Sequence, residues 1–155
     1  MGFDCDVIRW EIPQQEQRWI MTKKLCLMIP RVIDEDRMRI YVAGPLSSPT
    51  KRGLLENVRN ASLAGRELFL KGHYPFIPHT MNHDWFGDPH PLFHDYASIV
   101  EDFDCLGWLS ICDAVLFLPG WKKSKGSRME RRYAKKTGKK IYFKLSQIPN
   151  VRKEE

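Results

Sequence analysis

The sequence predicts one α/β domain, a three-layer sandwich with a mostly parallel sheet of the Rossmann/flavodoxin-like kind. Three observations carry this. Short β-branched and aromatic runs alternate with stretches of helical apolar spacing from Met38 onward. Glycines fall where those stretches stop. "DAVLFLPG" at 113–120 is an unbroken apolar run, as a strand covered on both faces requires. Strands alternating with helices imply βαβ crossovers and hence a parallel sheet.

Each element follows in order. "MRIYVAG" (38–44) reads as the first strand, ending in glycine. "KRGLLENVRNASLAGRELFLKG" sets Leu54, Val58, Ala61, Ala64 and Leu68 at three- and four-residue steps, an amphipathic helix stopped at Gly72. "YPFIPH" (74–79) is a second strand, broken by Pro78. "DYASIVEDFDCLGWLSI" (95–111) reads as an α-helix with Ile99, Phe103, Leu106 and Leu109 near one stripe. "DAVLFL" is the third strand, with Asp113 capping or anchoring its start. Lys125 to Lys136 is a further helix ended by Gly138, and "KKIYFKL" (139–145) a last strand.

The chain has 155 residues, enough for one well-cored domain. Residues 1–37 stand apart: Pro13 and Pro30 interrupt them and no period is sustained. They read as an N-terminal extension, either poorly ordered or an arm anchored on a partner by Trp10, Trp19 and Ile20. Residues 38–147 form the domain and 148–155 a C-terminal tail. Lys and Arg outnumber Asp and Glu, 25 to 19, which favours an anionic partner, a phosphorylated small molecule or nucleic acid. The basic stretch from Lys122 lacks regularly interleaved aromatics, so nucleic acid ranks last. Cys5, Cys26, Cys105 and Cys112 show no CxxC pairing, which fits reduced thiols and a cytoplasmic location. Asp4, Asp6 and Glu11 occupy the place of a secretory apolar segment, and no apolar stretch approaches membrane-spanning length, so neither a leader nor a membrane partner is expected.

Ligands of such sheets bind beyond the carboxyl ends of the strands, at the switch in strand order. Two loops should meet there, "AGPLSS" with Gly44 and Pro45, and "PGWKKSKGS". In the second, Gly120 and Gly126 let backbone approach a ligand, Ser124 and Ser127 add hydroxyls at a helix start that attracts anions, and Trp121 offers a ring to stack. His79, just after a strand, is placed to line the pocket. The four-residue spacings "HTMNH" and "HPLFH" suit a metal only on an unbroken helix, and Pro78 and Pro91 disturb both; no metal is expected. Glu130 is the one carboxylate of a basic helix. "SRME" fits a capping box that would turn it back to the Ser127 amide; a helix starting nearer Ser124 would instead leave it free beside the ligand loop.

"IYVAGPL", "NASLAGRELFLKGHYPFIPH" and "CDAVLFLPGWKKSKGSRMERRYAKKTGKKIYF" together resemble the nucleoside 2-deoxyribosyltransferase superfamily, over about 39–143. More particularly it resembles a small branch with "AGP", "CDAV" and "LPGWxxSxGxxxE" motifs, and the chain is also similar to 2'-deoxynucleoside 5'-monophosphate N-glycosidases. The resemblance implies that Glu130 is the nucleophile and that Tyr41 orients it. The position six before the glutamate, Ser124, is a serine in phosphate-reading hydrolases and an aspartate in transferases, so a nucleotide substrate and hydrolysis are favoured. The family's acid, eight residues before the aspartate of "CDAV", falls on Cys105; Asp104 lies one residue away and is the preferred general acid, with Asp102 the other choice.

The implied chemistry has two steps. Glu130 attacks the anomeric carbon, an acid assists departure of the base, and water or a second base resolves the glycosyl-enzyme. Retaining carboxylate pairs of this kind stand roughly 5–5.5 Å apart. The expected partner is a nucleotide or nucleoside, with no cofactor, in a homo-oligomer. The alternative reading is a nucleotide-binding or sensing module on the same fold, without turnover.

Overall fold

A computed structural model describes residues 36–85, 97 and 99–152. The expected extension therefore lies outside the described residues apart from 36 and 37, as do His90, His94 and the end of the tail. Four strands, β1 (Arg39–Ala43), β2 (Tyr74–Phe76), β3 (Ala114–Phe117) and β4 (Lys140–Tyr142), form one sheet in the order β2-β1-β3-β4. Every pairing is parallel. The α-helices whose bounds fall within the described residues are α1 (Lys51–Leu70), the single turn α2 (His79–Asn82) and α3 (Lys125–Lys136).

Strand residues alternate between two covered faces, which makes the sheet the middle of three layers. Ile40, Val42, Ala114 and Leu116 pack with Ala61, Ala64 and Leu68 of α1 and with Ile148. Tyr41, Ala43, Val115 and Phe117 pack on the other side with Leu109, Cys112 and Ala134 of α3. Burial on both faces is why β3 reads as an unbroken apolar run.

Helix ends behave as their sequences suggest. Thr50 caps α1 by accepting from the Gly53 amide, and Gly72 follows it at φ +93, a left-handed turn that glycine adopts freely. Asp113 anchors β3 by accepting from the Arg39 amide at 2.7 Å and from its guanidinium at 2.9 Å. The buried His73 accepts from the Met38 amide at 3.2 Å and donates to the Pro149 carbonyl at 2.9 Å, tying the segment after β4 to the start of β1. Arg37 donates to the Gly72 carbonyl and lies over the Tyr74 ring, and Ile148 is core, so residues at both edges of the expected domain pack on it.

The segment before β3 departs from expectation. Ile99–Trp108 is a π-helix rather than an α-helix, followed by a 3-10 turn at Leu109–Ile111. Hydrogen bonds from i to i+5 widen the turn. Buried positions accordingly recur at five-residue steps, Ile99, Asp104 and Leu109, with Val100 and Cys105 beside them. The expected stripe fails at Leu106, which is 54% exposed.

Candidate active site

The order of strands reverses between β1 and β3, so the crevice opens beyond their carboxyl ends. The loops that follow meet there. The Leu118 amide donates to the Ala43 carbonyl at 2.8 Å. A Cβ on Gly44 would lie 3.1 Å from Leu118 Cβ, and one on Gly120, at φ +86, would touch Pro45. A cleft lies here, lined by Gly44, Leu46, Pro78, His79, Asn82, Asp104, Ser127 and Glu130.

Glu130 reaches the cleft because α3 begins one turn earlier than the capping-box reading requires. Ser124 is the N-cap, its hydroxyl oxygen accepting from the Ser127 amide at 3.2 Å. Ser127 is then the third residue of the helix and Glu130 the sixth, too far inside to cap it. The capping box is thereby corrected: Glu130 turns inward and accepts a 2.8 Å hydrogen bond on Oε1 from the Tyr41 hydroxyl. Tyr41 is held on β1 with its ring stacked on Phe76, which stacks in turn on Trp108.

Asp104 comes from the π-helix. It is buried and accepts a 3.4 Å hydrogen bond on Oδ1 from the Asn82 amide nitrogen. The wider turn brings Asp104 to the cleft and leaves Asp102 exposed. Burial raises Asp104 to about 7. Burial and then the charge of Asp104 raise Glu130 to about 8, against the pull of the Tyr41 hydrogen bond. Two buried carboxyls with such values share a proton near neutrality, and the pair titrates as a unit. Burial and then Glu130's charge lift the Tyr41 hydroxyl well above its ordinary value, so it stays a donor. Burial likewise pushes the Cys105 thiol up to about 12, leaving it an inert packing group.

Of the other expected residues, Gly44, His79 and Ser127 line the cleft, while Pro45, Gly120, Trp121, Ser124 and Gly126 are not among its lining residues. His79 is buried, and its Nε2 lies 3.2 Å from the Gly44 carbonyl. Trp121 packs its ring on Phe117 and Phe143 with the Arg131 guanidinium over it. Asn82, Leu46 and Pro78 were not anticipated. Asn82 had one available signal, its three-residue spacing from His79, which sets both on one side of α2. Among the described residues no group of three or more His, Cys, Asp or Glu is placed to hold a metal.

A doubly wound parallel α/β domain with a buried carboxyl pair at its switch point is the class that fold and site define. More particularly, residues 38–143 match the model of the family described as Domain of unknown function (DUF4406), and the chain belongs to that family. No curated protein matches it.

Proposed function

We propose that the protein cleaves the N-glycosidic bond of a nucleoside 5'-monophosphate or nucleoside, with hydrolysis favoured over base transfer. The observation that carries this reading is the Tyr41–Glu130 hydrogen bond beside Asp104 in one cleft, with Glu130 Oε2 left without a partner. The likeness of the "AGP", "CDAV" and "SxGxxxE" segments to nucleoside 2-deoxyribosyltransferase-like proteins supports it.

Glu130 attacks the anomeric carbon with its free oxygen while Tyr41 holds the other. Asp104 gives its proton to the departing base, then takes one from the water that attacks the glycosyl-enzyme. This requires the shared proton to sit on Asp104 when substrate is bound. The Tyr41 hydrogen bond pulls Glu130 toward its ionised form, but burial and the charge of Asp104 leave Glu130 the more basic of the two in the free protein, so the proton has to pass to Asp104 as substrate binds. The phosphate would meet the start of α3, whose first amides have no intrahelical acceptor, with the Ser124 hydroxyl alongside. The reading includes a homo-oligomer in the cytoplasm; among the described residues no helix is long and apolar enough to cross a membrane.

The test is a panel of nucleosides and their monophosphates followed for free base by chromatography. The parent should release base, fastest from monophosphates, and Glu130→Gln should lose several orders of magnitude in rate while still binding. Near-full turnover by Glu130→Gln would overturn the mechanism. Binding without base release by the parent would make the protein a nucleotide-binding module.

A further inference from the structure

Four buried polar atoms of residues lining the cleft have no hydrogen-bond partner: His79 Nδ1, Asn82 Oδ1, Ser127 Oγ and Glu130 Oε2. Their residues are between 1% and 5% exposed. Buried polar atoms are ordinarily satisfied, so this concentration marks where a bound molecule makes its contacts.

The chemistry of the four atoms is one-sided. A carbonyl only accepts, so His79 must donate from Nε2 to Gly44, which leaves Nδ1 of the neutral ring as an acceptor. The Asn82 amide nitrogen faces Asp104 Oδ1, which turns its carbonyl oxygen away as a second acceptor. Glu130 Oε2 is a third, and the Ser127 hydroxyl alone both donates and accepts. Among the described residues no Lys or Arg lines the cleft. Such a wall suits neutral hydroxyl donors and disfavours an anion.

Resting on the N-glycosidase reading above, we propose that the sugar bound here is a ribose with its 2'-hydroxyl intact. That hydroxyl donates to Asn82 Oδ1, and the neighbouring 3'-hydroxyl donates to His79 Nδ1. Asn82 is assigned the 2' position because its amide touches Asp104, the acid that serves the leaving base on the anomeric carbon, and the 2'-carbon is the next atom of the ring. His79, three residues earlier on the same side of α2, falls to the adjacent hydroxyl. Hydrogen bonds to a 2-hydroxyl strengthen as positive charge develops on the sugar, so the contact assists bond breaking as well as binding. A 2'-deoxy sugar would leave the Asn82 oxygen buried and unmet, a loss that polar sites register strongly.

The experiment compares each ribonucleoside 5'-monophosphate with its 2'-deoxy counterpart, keeping the base constant. Base release is measured with the full-length parent, and binding by calorimetry with full-length Glu130→Gln. The ribo form should be favoured by about tenfold or more in kcat/KM and in affinity. Asn82→Ala should bring the ratio close to one by weakening the ribo form alone. Because both sugars are read on one protein sample, partial loss of folding leaves the ratio intact. Equal or better use of the deoxy form, in turnover or in binding to Glu130→Gln, overturns the ribose assignment while the N-glycosidase reading stands. If the parent releases no base from either but Glu130→Gln prefers the ribo form, the sugar assignment holds and the catalytic reading falls.

Discussion

Glu130 carries its chemistry at a cost to the fold. Its carboxyl is raised to about 8 chiefly by burial, so folding favours the protonated form. The sign follows directly: a raised acid contributes its full stability below its unfolded value of about 4.5, and that stability is lost as pH rises through about 8. Glu130→Gln should melt close to the parent near pH 5 and several degrees above it at pH 9, since each pKa unit is worth about 1.4 kcal/mol. A parent melting temperature that is flat across this range would show that Glu130 is not buried as described. The pair also sets the rate profile. With Asp104 at about 7 and Glu130 at about 8, the singly protonated pair is most abundant between those values. Turnover should follow a narrow bell there, falling on the acid side as both carboxyls protonate and on the alkaline side as both ionise. Asp104→Asn removes the like charge, so the remaining Glu130 limb should move to lower pH.

At the scale of elements, the π-helix decides which acid serves the cleft. Asp104→Asn should cost turnover by a hundredfold or so, as loss of a general acid does, while Asp102→Asn on the exposed side should be close to silent. Equal losses would mean that the wide turn is not what presents the acid. The start of α3 separates stability from recognition in the same way. Ser124→Ala removes the cap and should cost about 1 kcal/mol in a denaturant melt. Ser124→Asp keeps an equally good cap, so stability should hold, yet its charge should weaken monophosphates far more than the matching nucleosides. These elements also show where a sequence stops being readable. The three-layer α/β class was legible because β3 is apolar throughout and α1 repeats at three and four residues. Tyr41, Glu130 and Asp104, and their meeting in one site, were expected through the family resemblance that the motif segments carry, not through periodicity. The π-helix was hidden because a periodicity test presupposes i to i+4 bonding, which put Leu106 inward. Asn82 was hidden because a single turn such as α2 is too short to establish any period.

Among the described residues the sheet is four strands wide, and β2 and β4 at its edges are three residues each. In a parallel strand the backbone groups of successive residues point to opposite sides. The Tyr74 amide donates to the Met38 carbonyl, so Tyr74 and Phe76 face β1 and Pro75 alone faces outward from β2. Proline has no amide hydrogen, so that outward position offers an acceptor and no donor. On the opposite side the Lys140 amide turns toward Asp113, leaving Ile141 as the one outward residue of β4. Neither margin therefore offers a ladder of alternating donors and acceptors on which a further strand could zip. Continuing the sheet through β2 or β4 is thus closed as a way for copies to grow into a ribbon or fibre.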